Sequence, residues 1–411
     1  MNIKYFKPYI SGKEIEYIKD LLDNGLTLSG DGKYTKLVHA LLEKRYSVPK
    51  ALLTTSCSSA LELAVRLLNL KKGDEIIAPS FTFSSTINAI LLNAGLKVTF
   101  AEIDDKTLNI DPEDIERKIT SRTKAIIVVH YAGVACDMDK IMKIARKYNI
   151  KVIEDAAQAI DAKYKGKYLG TIGDMGCLSF HDTKNVICGE GGALLINRQD
   201  ENILEAAEIL REKGTNRTKF LEGVVDKYTW VDIGSSYLPS DILAAFLYAQ
   251  LESIDIIMKK RLKIHQFFTD SLMPIAKKYS FKQQTVPSYA THNAHIFFVT
   301  LENSDTRSFV MKYMRSLGVA ASSHYVPLHS APQGVKLGNI ASDLPITEDL
   351  SERILRFPLF PTMTKSEQKY VVKVFVEAFE KYNEIKTDTK TMSTFTRSNN
   401  SAQSLALRSA K

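Results

Sequence analysis

The chain has 411 residues, of which 45% are hydrophobic, 25% charged and 9% aromatic. This composition is typical of a globular protein and excludes a collagenous, largely disordered or membrane-embedded chain. The formal net charge is +8 (55 basic minus 47 acidic residues), but residues 386–411 carry +4 of it (five basic minus one acidic), and the remaining +4 suits at most an anionic small substrate rather than nucleic acid.

Cysteine usage and the N-terminal segment predict a compartment for the protein. The four cysteines are too few to stabilise a chain of this length through disulfide bonds, and they lack metal-ligand spacing. Both observations favour a reducing environment. The first 22 residues lack the apolar core of a signal peptide, and no apolar run approaches the roughly 20 residues of a membrane-spanning helix. We therefore expect a soluble cytoplasmic protein.

The first half of the chain alternates short β-branched runs with amphipathic stretches, which is typical of an open, mostly parallel α/β sheet. The predicted strands are Glu75–Ala78, Lys97–Ala101, Ala125–His130 and Lys151–Asp155. The predicted helices are Ser58–Leu70, Ser84–Asn93, Pro112–Ile119 and Met138–Tyr148. Such sheets bind ligands beyond the carboxyl ends of their strands.

The pattern changes after about residue 170. Runs at Gly176–Phe180 and Ala193–Ile196 are separated by glycines without a helix, which predicts a locally antiparallel or mixed region. Helix follows from Ser240, and strand and helix return from Ala294, so we predict a large domain over residues 1–250 and a smaller α+β domain over 251–385. Residues 386–411 are rich in serine and threonine and have little periodicity, which predicts a disordered tail.

Several familiar motifs fail on inspection. Gly25 and Gly30 have P-loop spacing, but Asp31 occupies the lysine position and would repel a phosphate. The GEGG run at 189–192 is not a dinucleotide fingerprint. His324 and His329 lack partner carboxylates or thiolates, so no metal is predicted.

A run of small hydroxyl and thiol side chains, TTSCSSALELA, precedes the first predicted helix. Free backbone N–H groups and the dipole at a helix N-terminus attract anions, so Cys57 and Ser58 are candidates for holding a phosphate. An ordinary serine N-cap explains the same pattern and is favoured if the run is taken alone.

Two further local features carry reactive side chains. The run KVIEDAAQA ends a strand in Glu154 and Asp155, where a carboxylate is either the partner of a cationic ligand atom or a helix N-cap. The run GCLSFHDTKNVICGEGGALL places Lys184 in a polar turn with Ser179 before it and a glycine-rich reversal after it. A lysine in a turn is usually a solvated surface residue, but the glycines allow a ligand to approach closely.

Taken together, these three features match the needs of pyridoxal 5′-phosphate (PLP). A lysine forms a Schiff base with the cofactor, an acid keeps its pyridine nitrogen protonated, and a helix terminus binds its phosphate.

The runs TSCSSALELA, PSFTFSSTINA, VVHYAGVACDMD, VIEDAAQA, SFHDTKN to GEGGALL, REKGTNR and HYVPLH occur in this order over residues 5–380. In this series the chain resembles the DegT/StrS nucleotide-sugar aminotransferases, which have the aspartate aminotransferase fold (fold type I of PLP enzymes). Within that family, the SFHDTKN, EKGTNR and DKYTWVDIGSSYL runs are most similar to the branch that makes dTDP-4-amino-4,6-dideoxygalactose for enterobacterial common antigen.

The resemblance implies roles for individual residues. Lys184 should bind the cofactor aldehyde and move the substrate proton, Asp155 should pair with the pyridine nitrogen, and Gln158 should approach the phenolic oxygen. Phe83 should cover the ring face unless it is a core aromatic. The implied phosphate ligands are Cys57, Ser58, Ser179 and, from a neighbouring subunit, Ser236, where many members have asparagine. The implied substrate contacts are Arg217, Tyr228, His324 and His329.

The resemblance also implies a reaction. An amino group from L-glutamate should pass to C4 of dTDP-4-dehydro-6-deoxy-D-glucose, giving dTDP-4-amino-4,6-dideoxy-D-galactose in a homodimer with shared active sites. A different carrier, keto position or C4 epimer remains open, as does a non-catalytic sugar-nucleotide-binding homologue. A related sugar 3-dehydratase, which carries histidine at the Schiff-base position, is disfavoured by Lys184.

Overall fold

A computed structural model describes residues 1–93, 95–338 and 343–406, with side chains through residue 386. The α-helices are α1 (Glu14–Asp23), α2 (Lys33–Tyr46), α3 (Cys57–Leu67), α4 (Ser84–Leu91), α5 (Pro112–Lys118), α6 (Met138–Tyr148), α7 (Glu201–Arg211), α8 (Arg217–Leu221), α9 (Asp241–Glu252), α10 (Ile254–Leu272), α11 (Ser304–Ser316), α12 (Pro332–Lys336), α13 (Pro345–Arg353) and α14 (Lys365–Ala406). The strands are β1 (Lys50–Thr54), β2 (Glu75–Pro79), β3 (Lys97–Ala101), β4 (Thr123–Val129), β5 (Lys151–Asp155), β6 (Lys163–Tyr164), β7 (Lys167–Tyr168), β8 (Met175–Ser179), β9 (Gly192–Ile196), β10 (Lys282–Gln283), β11 (Ala290–Thr291), β12 (Phe297–Thr300) and β13 (Ile354–Phe357).

A seven-stranded sheet with the order β1-β9-β8-β5-β4-β2-β3 forms the centre of the molecule. Strands β3, β2, β4, β5 and β8 run parallel, whereas β9 pairs antiparallel with both β8 and β1. This arrangement confirms the predicted mixed, mostly parallel α/β sheet and the antiparallel region after residue 170. In the register of β4 and β5, Val129 lies opposite Asp155, so the residues that follow these strands meet at one edge.

Helices cover both faces of this sheet because their apolar residues recur at helical spacing. Helix α6 begins after Asp137, whose side chain accepts the N–H of Lys140, and it buries Met138, Ile141 and Ile144. The two faces form separate core clusters, one including α2, α6 and α9 and the other including α3 and α4.

A smaller sheet, β10-β12-β13, packs against α10, α11 and α14 around a third core cluster. Helix α10 joins this unit to the large sheet, since Ile254 and Ile257 lie in the first core and Ile264 and Phe268 in the third. The domain boundary at residue 250 stays a prediction. Residues beyond α11 add two isolated bridges, from Val319 to Ile3 and from Ser322 to Arg356. A third sheet, β11-β6-β7, joins two short segments.

The C-terminal helix α14 extends through Ala406, so the backbone of residues 386–406 is helical where the composition predicts disorder. Once a helix is nucleated by a packed segment, each further residue adds one hydrogen bond, and the helix can continue beyond its core contacts. Residues 407–411 of the predicted tail lie outside the described residues. Within the described part of the chain, no helix combines the length and apolarity needed to cross a bilayer.

Candidate active site

A cavity of about 680 Å3 lies beyond the carboxyl ends of the parallel strands, between the large sheet and the smaller one. Eight residues predicted from the sequence line it: Cys57, Ser58, Phe83, Asp155, Gln158, Ser179, Lys184 and His324. Segments that are distant in the chain therefore converge on one site.

Asp155 ends β5 and is buried beneath this cavity. Its Oδ2 accepts the hydroxyl of Thr86 at 2.7 Å, and its Oδ1 accepts the backbone N–H of Ala157 at 3.1 Å. Burial raises the pKa of Asp155 above its ordinary value, although both hydrogen bonds oppose the rise. No helix begins here, which removes the helix N-cap as an explanation for this carboxylate.

Lys184 lies in the turn between β8 and β9, where its backbone N–H donates to the carbonyl of His181 at 2.8 Å. Its side-chain amine forms no hydrogen bond or ion pair with any residue that the structure describes. Burial lowers the pKa of Lys184, and Arg356 acts in the same direction, while Cys57 and Asp155 oppose them. A lysine with a lowered pKa has a larger neutral, nucleophilic fraction. Lys184 therefore lines the cavity and is not the solvated surface lysine that a turn usually carries.

The N-terminus of α3 forms another wall of the cavity. The side chain of Ser56 caps the helix by accepting the N–H of Ser59 at 3.1 Å, as the ordinary N-cap interpretation predicts. Among the described residues, the N–H groups of Cys57 and Ser58 have no acceptor. They point out of the first turn together with the helix dipole, so the cap and the anion site coexist.

Gly192 packs closely against the first turn of α3 because it has no side chain. A Cβ built at Gly192 would lie 2.4 Å from the backbone nitrogen of Cys57, so any other residue would displace the start of α3. Hydroxyls complete this wall: Ser58 donates to Ser85 at 2.7 Å, and Ser179 contributes a third hydroxyl. Backbone N–H groups plus hydroxyls make a donor set suited to a phosphate.

Gln158 and Phe83 are distant in the chain but line the same cavity. The Oε1 of Gln158 accepts the N–H of Ala132 at 2.7 Å, and its Nε2 donates to the hydroxyl of Tyr325 at 3.0 Å, leaving one amide hydrogen. Phe83 is 60% exposed, so it is not a core aromatic. Its ring is available to a planar ligand.

Four predicted residues lie outside the cavity of their own chain. His329 is buried, with Nδ1 2.7 Å from the hydroxyl of Ser80 and Nε2 3.1 Å from Glu348. Arg217, Tyr228 and Ser236 lie on the segment that follows α7, and Tyr228 is 55% exposed. Their predicted contacts with substrate or cofactor stay predictions. No cluster of three potential metal ligands occurs among the described residues.

The cavity residues that sequence reasoning missed include Tyr5, Ser85, Thr86, Arg261, His295, Tyr325 and Arg356. Ser85 and Thr86 begin a predicted helix, and a hydroxyl at that place is ordinarily a capping residue. Tyr5, Arg261 and Arg356 come from the N-terminal segment, α10 and β13, and no local pattern in those segments signals a site.

Residues 8–376 match the DegT/DnrJ/EryC1/StrS aminotransferase family. The chain is 30% identical over 388 residues to the spore coat polysaccharide biosynthesis protein SpsC of Bacillus subtilis, covering 90% of this chain and 95% of SpsC. It is 29% identical over 370 residues to the GDP-perosamine synthase of Escherichia coli O157:H7, covering 90% of this chain and 96% of that protein. The solved structure of NtdA from Bacillus subtilis, with bound cofactor PMP, superimposes with a TM-score of 0.80 at 26% identity, covering 90% of this chain and 83% of NtdA.

Proposed function

The chain belongs to the DegT/DnrJ/EryC1/StrS aminotransferase family, and from that premise we propose that it transfers an amino group from L-glutamate to C4 of dTDP-4-dehydro-6-deoxy-D-glucose. The proposed product is dTDP-4-amino-4,6-dideoxy-D-galactose, for surface polysaccharide synthesis. The protein is a PLP-dependent sugar aminotransferase of fold type I. One observation supports the site above all: the amine of Lys184, which has no partner among the described residues, and the buried carboxylate of Asp155 line one cavity.

The residues of the cavity fit pyridoxal phosphate, because one cavity is lined by hydroxyls and free N–H groups suited to its phosphate, an acid suited to its ring nitrogen and a lysine suited to its aldehyde. When bound, PLP supplies an electron sink that stabilises negative charge on the substrate carbon next to the amine. We assign Lys184 two tasks. Its neutral amine holds the cofactor, and once released it accepts and returns the proton of the reacting carbon.

We assign Asp155 to the ring nitrogen. Each oxygen of its carboxylate accepts one hydrogen bond, Oδ2 from Thr86 and Oδ1 from Ala157, which fixes its orientation and leaves lone pairs for a cation. A buried carboxylate without a positive partner is costly, so a protonated ring nitrogen would lower its pKa and gain stability in return.

We assign the phosphate to the N-terminus of α3, with Cys57, Ser58 and Ser179 as its ligands. The proton of the Ser58 hydroxyl is already given to Ser85, so the hydroxyl of Ser85 is the one free to donate, and we add it to the predicted set. The remaining N–H of Gln158 is assigned to the phenolic oxygen and Phe83 to the ring face.

We propose a homodimer in which each subunit completes the other's site. The segment 217–233 exposes seven large apolar or aromatic side chains, namely Phe220, Leu221, Val224, Tyr228, Trp230, Val231 and Ile233. Exposed apolar patches of this kind mark interaction surfaces. Arg217, Tyr228 and Ser236 lie on or beside this segment, so we assign them to the partner's cavity, while His324 serves its own.

The place of the reaction is proposed to be the cytoplasm. All four cysteines are free and buried, and free thiols persist in a reducing compartment.

A GDP-linked keto sugar is the second candidate substrate. The 29% identity to a protein named GDP-perosamine synthase favours it, because this identity is about the same as the 30% identity to SpsC. The cavity residues that bind PLP do not distinguish the two nucleotides.

The test is product analysis with L-glutamate and either dTDP-4-dehydro-6-deoxy-D-glucose or its GDP-linked counterpart. We expect the dTDP product, with a mass that shows one amine replacing the ketone and a small H3–H4 proton coupling that identifies the galacto epimer. A large coupling would indicate the gluco epimer. Turnover of the GDP sugar alone would support the second candidate, and no turnover of any keto sugar would refute both.

A matched pair of variants connects this activity to the site. Lys184→Ala should lower turnover by about 10³-fold or more, since it removes both the attachment point and the base. Borohydride reduction should attach the cofactor to Lys184 in the wild type. The exposed Lys36→Ala should change neither result.

A further inference from the structure

The residue that follows Lys184 in the chain is tied to a histidine of the cavity wall. Asn185 is buried, and its Nδ2 donates to the carbonyl of Asn293 at 2.9 Å. This bond fixes the orientation of the amide, because a carbonyl oxygen can only accept. The Oδ1 of Asn185 lies 3.0 Å from Nδ1 of His295. The proton of that second hydrogen bond therefore lies on Nδ1 of His295.

His295 lines the cavity just before β12 and carries a free lone pair. Burial holds the pKa of its imidazole well below the usual value, and four neighbouring groups act in the same direction, namely Lys184, Arg261, Arg356 and His324. The ring is therefore neutral, and with its proton on Nδ1 it has a lone pair on Nε2. Among the described residues, no donor lies within hydrogen-bonding distance of Nε2, since the hydrogen bonds of His295 use its N–H, its carbonyl and Nδ1.

The backbone around His295 is held in a strained conformation. Ala294 has a φ of +51°, in the left-handed region that residues with a side chain seldom adopt. Arg261 on α10 holds this turn, since its Nε donates to the carbonyl of Ala294 at 3.0 Å and its Nη2 to the carbonyl of His295 at 2.6 Å. Oδ1 of Asn293 accepts the N–H of His295 at 3.0 Å, and its Nδ2 donates to the carbonyl of Gln158 at 2.9 Å. Strain of this kind persists only where the surroundings fix the backbone, so the position of the imidazole is closely defined.

The amine of Lys184 needs a hydrogen-bond acceptor whenever it carries a proton. In the proposed reaction the released amine takes up the proton of the reacting carbon and becomes an ammonium group. Arg261 and Arg356 already bring two guanidinium groups to the same cavity, and its buried carboxylate, Asp155, is assigned to the ring nitrogen of the cofactor. A further buried cation without a partner is costly.

Three properties of His295 suit it to accept that hydrogen bond. Its ring is bonded to Asn185, the neighbour of Lys184 in the chain. Of the charges that act on the pKa of His295, that of Lys184 has the largest effect, which indicates that the amine is close to the ring. Its imidazole is also a weak base, so the proton stays on the lysine amine and can be returned to carbon.

We propose that Nε2 of His295 accepts a hydrogen bond from the protonated amine of Lys184 and so positions the released lysine for proton return; the role rests on the proposed aminotransferase function. His295 is a positioning residue, because it acts through Lys184 and exchanges no proton itself. Asn185 selects the tautomer that leaves Nε2 free, and Arg261 and Asn293 fix the place of the ring. Hydrogen bonds from a charged donor are among the stronger ones in proteins.

The test uses a matched pair of variants at one position. His295→Asn keeps an amide N–H for Asn185 but is too short to place an acceptor where Nε2 lies, whereas His295→Gln reaches that place with its amide oxygen. Competitive acetylation of the cofactor-free full chain with acetic anhydride, from about pH 6 to 11, gives the pKa of the Lys184 amine by mass spectrometry.

An acceptor stabilises the ammonium form and raises the pKa of Lys184. We therefore expect this pKa to fall by about one unit in His295→Asn and to stay near the wild-type value in His295→Gln. His292→Phe is the control, because it removes the acceptor of the Ala294 N–H in the same segment but no atom of the cavity. It should leave the pKa of Lys184 unchanged.

A second measurement follows the half-reaction of the cofactor-loaded protein with L-glutamate. The rate at saturating glutamate should fall about tenfold in His295→Asn, while KM for glutamate stays within about twofold, because Lys184 and not the donor loses a contact. His295→Gln should recover most of the rate.

Several outcomes would overturn the proposal. They are an unchanged pKa of Lys184 in His295→Asn, an equal fall in both variants of His295, the same fall in His292→Phe, and an unchanged half-reaction rate in His295→Asn. Product analysis separates this proposal from the reaction itself. A chain in which the two variants change the pKa of Lys184 as expected, but which aminates no keto sugar, would refute the proposed function and leave the hydrogen bond standing.

Discussion

The Nε2 atom of His130 lies 2.9 Å from Oε2 of Glu154, and both side chains are completely buried. Glu154 also accepts the backbone N–H groups of Gly170, Ile172 and Gly173. Nδ1 of His130 accepts the N–H of Cys136 at 3.2 Å, which leaves the ring proton on Nε2 for the carboxylate. Glu154 precedes Asp155 on β5, and neighbouring residues of a strand face opposite sides. The pair therefore stabilises β5 from the face opposite Asp155, and so holds the strand that carries Asp155 to the cavity.

Removing this pair should destabilise the protein. His130→Leu has a similar volume but no donor, so Glu154 loses one charge-assisted hydrogen bond, and we expect the free energy of unfolding to fall by about 2–3 kcal/mol. Urea denaturation measures the change. His181→Leu, at the partly exposed rim, is the control, and equal stability of the two variants would contradict the role of the pair.

The half-buried side chain of Lys184 should make the stability of the cofactor-free protein depend on pH. Since burial lowers its pKa, the unfolded chain binds more protons than the folded protein between the folded-state pKa and about 10.5. Stability should therefore rise with pH in that interval for the wild type relative to Lys184→Met. Urea midpoints at pH 7 to 10 test this. The exposed Lys36→Met should track the wild type, and a difference of the opposite sign would show that the amine is not desolvated.

The hydroxyl of Thr86 should lower the pKa of Asp155. Its hydrogen bond to Oδ2 opposes the rise in the pKa of Asp155 that burial causes, so Thr86→Val should raise that pKa further. The carboxylate is ionised only above its pKa, and the acid limb of the activity profile should therefore shift to higher pH. On the acid limb, we expect activity to fall by about tenfold for each unit by which the pKa of Asp155 rises. Thr183→Val, at the exposed rim of the same cavity, is the control, and an unshifted acid limb would contradict the prediction.

Gly192 should be indispensable for cofactor binding. In Gly192→Ala the new Cβ would lie 2.4 Å from the nitrogen of Cys57, closer than real contacts allow, so the first turn of α3 must move. We expect PLP affinity, measured by equilibrium dialysis, to fall about tenfold or more while the far-ultraviolet circular dichroism stays unchanged. Gly12→Ala, where φ is +114° and a Cβ meets no atom within 4 Å, controls for a strained glycine substitution that leaves α3 in place. Undiminished affinity would place the phosphate elsewhere.

The C-terminal segment should be dispensable for catalysis. Residues 387–411 follow Ala378 and Phe379 of α14, and the third core and the cavity are already lined by side chains within residues 1–386. We expect turnover within about twofold of the full chain and an unchanged unfolding midpoint. A large loss of either would show that the tail contributes to the folded enzyme.

The sequence by itself determined the parts of this protein whose physical cause is local. The period of the apolar residues predicted β5 and α6, the serines before α3 predicted its start, and the glycines after Lys184 predicted a tight reversal. The ordered series of motifs added the family and the cofactor, which the comparisons confirm. It also identified eight of the residues that meet in the cavity.

Only the tertiary structure decided which of these side chains face one another. It turned Glu154 inward to His130 and Asp155 toward the cavity, and it joined Tyr5, Arg261 and Arg356 from segments about 100 to 350 residues apart. It also placed Arg217, Tyr228 and Ser236 outside their own cavity. Contacts between distant segments depend on how helices and sheets pack, and that packing is a property of the whole core rather than of any short run of residues.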